Sequence, residues 1–581
     1  MGAFAVKTNW LRVALLLTAT SSFAQQLATM APELVGRNDN TSTDVIVRFS
    51  TPASAAHVAK ITSRGGTVVD DFSFIQALHA TLPASRLADL AADGEVAYVS
   101  PNRTTRGALN NSTAAVLANY AWGMGLDGSG IGVAVIDSGI RAVGDLRTED
   151  KLNSRILYSV DTIGGGTDDG YGHGTHVAGI IAGNAAASEC PLCDVPLQGI
   201  APNVNILNFH ALDATGAGTD TSVINAIYQA IQLKTKYNIR VMNLSVGRPV
   251  WESYKKDPLC QAVEAAWNAG IVVVVAAGND GRNNSIGNHG YGTINAPGND
   301  PYVITVGAMN TMGTPDRGDD VMTTYSSKGP TAVDHIVKPD LVAPGNLVIS
   351  LQAVGSTLVT EYPGNRPPVG YYHVGDGGPP SAKYFTLSGT SMATPVVSAA
   401  AALLLQRHPW LTPDQVKARL MKTAYKNFPQ YTSITDGGVT YNIQYDIFTV
   451  GAGYLDLQAM LSDFDRPDRD FGDWNRDDWR LLSAKSPTAA YDAKTQRVYL
   501  VRDSSALWGS SAMWGAGGVW GANAFVGSQS ALWGSSALWG SSAMWGSNTT
   551  SAFSALWGSS AMWGSSSGQS DPSSVALNGD K

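Results

Sequence analysis

Three short segments carry the side chains that acyl-transfer chemistry would need. In VAVIDSGI, Asp137 closes an apolar run. In DDGYGHGTHVAGIIAG, His173 stands between two glycines where a helical pattern begins. In LSGTSMATPVVSAAAALLLQRHP, Ser391 opens a long apolar helix that has Pro395 in its first turns. A serine hydroxyl is a weak nucleophile at neutral pH and needs a base beside it. Imidazole is the side chain whose ordinary pKa suits that task. A carboxylate must then hold the ring in the right tautomer and stabilise its cation. The remaining requirement is donors for an oxyanion. AAGND offers the Asn279 amide just after a buried strand, and the Ser391 N–H would lie at the positive end of its helix. His176 follows His173 by three residues and is the rival base.

Such residues converge only on a suitable scaffold. Apolar runs ending in small residues (GVAVID, NILNFHAL, RVMNLSV, IVVVVAAGN, YVITVGAM) alternate with the helical patterns THVAGIIAGNAA, TDTSVINAIYQAIQLKTKY and DPLCQAVEAAWNAG. Buried strands alternating with helices predict an α/β fold with a mostly parallel sheet and helices on both faces. Asp137 then sits at the carboxyl end of a strand, where open α/β sheets place their sites. Ahead of this block, DVIVRF, a short helix closed by Gly65 and Gly66, TVVDDF, ALHATL, a second helix and VAYVSPN read as β-α-β-β-α-β, a small α+β unit.

In their order, Asp then His then Ser, with AAGND before the last, these motifs resemble the subtilisin-like serine proteases (subtilases) from Asn110 to Met460. The resemblance implies that Asp137 orients the base, His173 is general base and then acid, Ser391 is the nucleophile and Asn279 binds the oxyanion. His176 becomes structural. A serine endopeptidase hydrolysing polypeptides through an acyl-enzyme is implied, with no cofactor required for the chemistry. Structural calcium is compatible with the family but is not placed, and metal ligands are unknown. Where many members have a calcium loop, this chain has ASECPLCDVPLQGIAP. Gly216, Ala217 and Gly218 would present one edge to an extended substrate, and Ser245, Val246 and Gly247 the facing edge. Ala276, Ala277 and Gly278 would line the pocket for the residue before the scissile bond, with Asn295 near its floor. Small walls suggest a large apolar side chain there. The stretch 347–385 is longer than the family's usual link and is expected to shape the leaving-group side or form a lid. Segment 44–103 resembles the inhibitory prodomain of secreted subtilases, a partner that self-cleavage between Asn102 and Asn119 would release.

The rest of the chain sets location. Residues 1–24 read as a secretory signal peptide, with Lys7 and Arg12 ahead of a short apolar run and Ser22-Phe23-Ala24 as a cleavage site. The protein is therefore expected to be extracellular or at the cell surface. Export permits disulfides. Cys190 and Cys193 suit a local bridge, a zinc half-site or a redox pair, and Cys260 is unpaired or the partner of one of them. The catalytic block is bounded at 110–462. A charged linker follows over 463–502, opening on the Asp-rich DFDRPDRDFGDWNRDDWR and containing a candidate hairpin, YDAKTQRVYLVRD. Asp-rich loops of that kind also suit calcium. Eight of the 15 tryptophans fall in the hexapeptide repeats of 503–565, such as SALWGSSALWGSSAMWG, before a polar tail at 566–581. A period of six puts every Trp of an unbroken strand on one face. The expected use of the repeats is location: attachment to a cell surface, a polymer or a partner's sheet edge. Two alternatives stand: an adhesion protein using the repeats with the protease fold as scaffold, and a narrow processing protease. A net charge of −8 leaves no basic stripe for phosphates and excludes nucleic acid as the expected partner.

Overall fold

Alternating with exposed Asp44, half-buried Ile46 and exposed Arg48, Val45, Val47 and Phe49 are fully buried. A period of two places them on one face of β1 (Ser42–Phe49). Helix α1 (Ala55–Thr62), β2 (Thr67–Phe72), β3 (Ala77–Pro83), α2 (Leu87–Ala91) and β4 (Val96–Pro101) follow. The strands pair antiparallel in the order β2-β3-β1-β4 over a core that includes Ile61, Leu82, Leu90 and Val99. This is the β-α-β-β-α-β unit read from the sequence. The computed structural model describes residues 29–31, 34–101, 108–148, 150, 152–190, 193, 195–285, 288–373, 379–436, 438–462, 484–492, 497–501 and 577–580. The chain divides into two units, Met1–Thr105 and Arg106–Lys581.

The second unit begins with α3 (Ala108–Ala115) and α4 (Ala118–Gly123). Then come β5 (Gly132–Asp137), β6 (Ile156–Asp161), α5 (His173–Ala182), β7 (Asn205–His210), α6 (Asp220–Tyr237), β8 (Ile239–Leu244), α7 (Pro258–Asn268), β9 (Val272–Ala276) and β10 (Ile304–Asn310). After β11 (Val321–Met322) and β12 (Leu341–Pro344) the chain forms β13 (Val348–Leu351), α8 (Thr357–Glu361), β14 (Tyr384–Leu387) and α9 (Thr390–Arg407). The sheet order is β11-β10-β9-β8-β5-β7-β6, with β12 beside β10. All these pairings are parallel except that of β11. β5 and β9 are buried at every residue, as strands covered on both faces must be. Helices α5 and α9 pack together and against the sheet; α6 and α7 form the other helical pair. The expected α/β fold, with a mostly parallel sheet and helices on both faces, is the one observed.

Not every element was singled out in the sequence. The edge strand β6 alternates only between half-buried and exposed. Beyond α10 (Pro413–Thr423), β15 (Tyr431–Asp436) and β16 (Val439–Gln444) make a hairpin. Another, β17 (Thr488–Asp492) with β18 (Arg497–Val501), matches the one anticipated in the linker. Its lead-in is fastened to the second unit rather than spanning free. Ala484 N–H donates to Asp414 at 2.6 Å, and Val337 N–H to the Pro487 carbonyl at 2.8 Å. The Ser486 hydroxyl donates to Asp340 at 2.5 Å and accepts from Lys417 Nζ at 2.9 Å. Asp340, Lys338 and Lys417 are fully buried charges, and such charges require dense hydrogen bonding. Ser486 supplies part of it, which ties the segment down.

The signal-like 1–24, the Asp-rich start of the linker, the repeats of 503–565 and residues 566–576 lie outside the described residues. Among the described residues, no helix is long and apolar enough to cross a membrane. Nor is any group of three or more His, Cys, Asp or Glu placed to hold a metal ion. Cys190 and Cys193 are joined by a disulfide, and Cys260 is a buried free thiol.

Candidate active site

Strand β5 delivers Asp137 to its carboxyl end, and α5 starts with His173. The two meet: His173 Nδ1 lies 2.7 Å from Asp137 Oδ1, with Asp137 fully buried. The approach depends on Gly174, where a Cβ would fall 2.2 Å from the Gly139 carbonyl and 3.1 Å from Asp137 Cβ. A carboxylate not singled out in the sequence holds the start of α5. Buried Asp169 accepts from the Gly172 N–H (2.6 Å), the Thr175 N–H (2.8 Å) and the Ser138 hydroxyl (2.9 Å). Burial on its own would lower the His173 pKa. The Asp137 charge and hydrogen bond outweigh it, with help from Asp169, and the pKa stands above its ordinary 6.5.

His176 behaves differently. It is fully buried, and its Nε2 lies 3.1 Å from both the Val348 and Phe385 carbonyls. Burial, then the nearby His173, pushes its pKa down to about 3. It is a neutral packing residue, which removes the rival base.

Ser391 is the second residue of α9, so its N–H has no carbonyl four residues earlier within the helix. Its hydroxyl donates to the Ser245 carbonyl at 3.2 Å. Pro395 has no N–H to offer the Ser391 carbonyl, as an α-helix otherwise would. The Ser245 hydroxyl takes that place, donating to Ser391 O at 2.8 Å. Ser245, expected on a substrate edge, thus also fixes the turn that carries Ser391. Asn279 accepts from the Thr390 N–H (2.9 Å) and hydroxyl (3.1 Å) through Oδ1. Thr390 thus holds the oxygen end of the amide. Thr390 also accepts from the Gly278 N–H at 3.1 Å, making it a positioning residue that the motif reading passed over.

Two edges flank this cluster. Leu212 and Gly218 close a short hairpin in which Asp213 N–H donates to the Ala217 carbonyl at 2.7 Å, leaving Ala217 and Gly218 exposed. On the other side Val246 is half-buried and Gly247 exposed, next to the paired Arg248 and Ala296. Ala276 and Ala277 are buried. Asn295 sits against both glycines of the pocket: a Cβ on Gly278 would lie 2.7 Å from Asn295 Nδ2, and one on Gly247 3.2 Å from its Cβ. Asn295 Nδ2 donates to Asp280 at 3.1 Å, and burial raises the Asp280 pKa. Asn295 and Asp280 thus put polar groups beside Gly247 and Gly278, where the small residues alone suggested room for a large apolar side chain. Residues 357–358 of the long 347–385 stretch are also tied down. Thr357 and Leu358 N–H groups donate to the Gly170 and Tyr171 carbonyls, each at 3.0 Å, and the Thr357 hydroxyl to Ala214 at 2.7 Å. They buttress the His173 end and the loop bearing Gly216.

A base–carboxylate pair, a helix-start serine and a tethered amide, all at one end of a parallel sheet, define a serine endopeptidase of the subtilisin type. The profile of the Subtilase family (peptidase S8) matches residues 128–453, and the chain belongs to that family. Serine protease AprX of Bacillus subtilis (strain 168) is 36% identical over 363 residues, covering 60% of this chain and 74% of the relative. Subtilisin E of the same organism is 32% identical over 427 residues, covering 72% and 94%. A thermostable alkaline protease of Halalkalibacterium halodurans is 30% identical over 362 residues, covering 61% and 80%.

Proposed function

We propose that Asp137, His173 and Ser391 are the catalytic triad of this serine protease and that Asn279 with the Ser391 N–H forms its oxyanion hole. The observation that carries this reading is the 2.7 Å Asp137–His173 contact, set beside a helix-start serine whose neighbour Thr390 aims the Asn279 amide. Ser391 Oγ attacks the scissile carbonyl carbon while His173 Nε2 takes its proton. The oxyanion is held by Asn279 Nδ2 and the Ser391 N–H. His173 returns the proton to the leaving amine as the C–N bond breaks, and water then hydrolyses the acyl-enzyme by the same route. The free hydroxyl turns to Ser245; catalytic hydrogen bonds often tighten only once substrate is bound. Extended polypeptide would pair with Gly216–Gly218 and Ser245–Gly247, and Asn295 with Asp280 would favour a smaller or polar residue before the scissile bond. A fluorophosphonate probe tests the triad. Parent enzyme should label and Ser391→Ala should not; equal labelling of both would refute the assignment.

We further propose a secreted, self-processing precursor. The signal-like 1–24 supports export, and the β-α-β-β-α-β unit supports a prodomain. Helix α3 packs on β13 and Ala115 joins the catalytic core, so the cut would fall before α3, within 102–107. Ser391→Ala should then accumulate as unprocessed precursor; normal processing of that variant, expressed alone, would rule out self-cleavage.

A further inference from the structure

Residues 577–580, Leu-Asn-Gly-Asp, are far along the chain from the triad yet are built into the second unit. Asp580 is fully buried. Its Oδ1 accepts from Arg282 Nη2 and the Thr324 hydroxyl, each at 2.6 Å, and its Oδ2 from the Thr324 N–H at 2.6 Å. Asn346 brackets its backbone: Asp580 N–H donates to Asn346 Oδ1 at 2.8 Å, and Asn346 Nδ2 to the Asp580 carbonyl at 2.9 Å. Asn365 Nδ2 donates to the Leu577 carbonyl at 2.6 Å. Gly579 sits at φ +59°, and a Cβ there would lie 2.4 Å from Asn346 Oδ1 and 2.5 Å from Ser388 Oγ. Only glycine suits that turn. A buried carboxylate is tolerated when donors meet its oxygens, and charge-assisted bonds of this kind are the strong ones.

We propose that residues 577–580 are an intramolecular latch. The slot of Arg282, Thr324, Asn346 and Asn365 binds an Asn-Gly-Asp turn and clamps together the loops that carry Asn279 and Ser391. Arg282 follows Asn279 by three residues. Asn346 lies between two links to the nucleophile loop: the Gly345 carbonyl accepts from the Gly389 N–H at 2.8 Å, and Leu347 N–H donates to Ser388 Oγ at 2.8 Å. Ser388 and Gly389 run directly into Thr390 and Ser391. The latch touches no substrate; its residues are positioning residues, and their role rests on the reading of Asn279 and Ser391 above.

The test compares the full chain with one ending at Ala576 and with Asp580→Asn, which keeps the shape and removes the charge. On a small peptide substrate, kcat should fall between about 10- and about 100-fold with KM little changed, the cost of slightly misplaced reacting groups. The peptide Ala-Leu-Asn-Gly-Asp-Lys, added to the shortened enzyme, should restore the rate saturably, and the same peptide carrying Asp580→Ala should not. Binding of the fluorescein-labelled peptide is read by anisotropy, independently of turnover. No binding, binding without recovery, or parental kcat in both variants overturns the latch. If the shortened chain does not fold, Asp580→Asn decides: parental kcat and KM overturn the proposal. Full activity in Ser391→Ala would instead refute the triad while leaving the anisotropy result intact, so the two failures are told apart.

Discussion

Asp137 does two things for His173: it fixes the ring through Nδ1 and keeps its pKa above 6.5 against the effect of burial. On the proposed mechanism His173 must be neutral to accept the Ser391 proton, so kcat/KM should rise with pH through a value above 6.5. In Asp137→Asn the stabilising charge is gone while burial remains, so that limb should move to lower pH. Turnover should also fall by about 10⁴-fold, as in the corresponding serine-protease variant; an unmoved limb would mean that Asp137 does not set the His173 pKa. Asn279→Ala should cost about 10²- to 10³-fold in kcat, the loss measured when a subtilisin loses its oxyanion asparagine. A change near unity would place the oxyanion elsewhere. Asn295→Gly removes the side chain between Gly247 and Gly278 and should raise kcat/KM for substrates with a large apolar residue before the cut. A peptide library cleaved by both forms checks this, and an unchanged profile would show that Asn295 does not limit the pocket.

Helix α9 shows why some of the site was legible in sequence and some was not. Its glycine-flanked start, its apolar run and Pro395 could all be read directly. That Ser245 would replace the donor missing at Pro395 could not, because the partner lies 146 residues away. The central strands were legible because burial on both faces makes them continuous apolar runs, whereas β6 at the edge has only a weak alternation. The β15–β16 hairpin did carry a signal, an Asp-Gly-Gly turn between alternating residues. Asp169 stands in a polar stretch with nothing in its spacing to mark it; its three donors are visible only in three dimensions. The 484–490 segment was hidden for the same reason, since Ser486 answers a charge cluster formed by Lys338 and Asp340, just ahead of β12, and Lys417 of α10. Ser486→Ala should destabilise the enzyme by about 1–3 kcal/mol, the usual cost of stranding buried polar partners. Thermal unfolding measures it, and an unchanged Tm would show that the cluster does not depend on the hydroxyl.

The two units have separate cores, which fits a removable first unit joined to a self-sufficient second one. Within the second, the Trp repeats and the latch make separable predictions. Deleting 503–565 while keeping 577–581 should leave cleavage of small peptides near the parental rate. Ending the chain after 502 removes the same repeats together with the latch, and should lower kcat. Equal activity of the two shortened enzymes would show that the distal residues add nothing to catalysis. A second consequence concerns survival among proteases. Residues 484–490 and 577–580 are both fastened to the same unit, so everything between them leaves and returns to one body. With 577–580 held as the proposed latch, a single nick anywhere in 502–576 would cut the covalent chain without freeing either end. The enzyme would run as two bands on a denaturing gel and as one species in native solution, carrying its repeats through the kind of damage it inflicts on others.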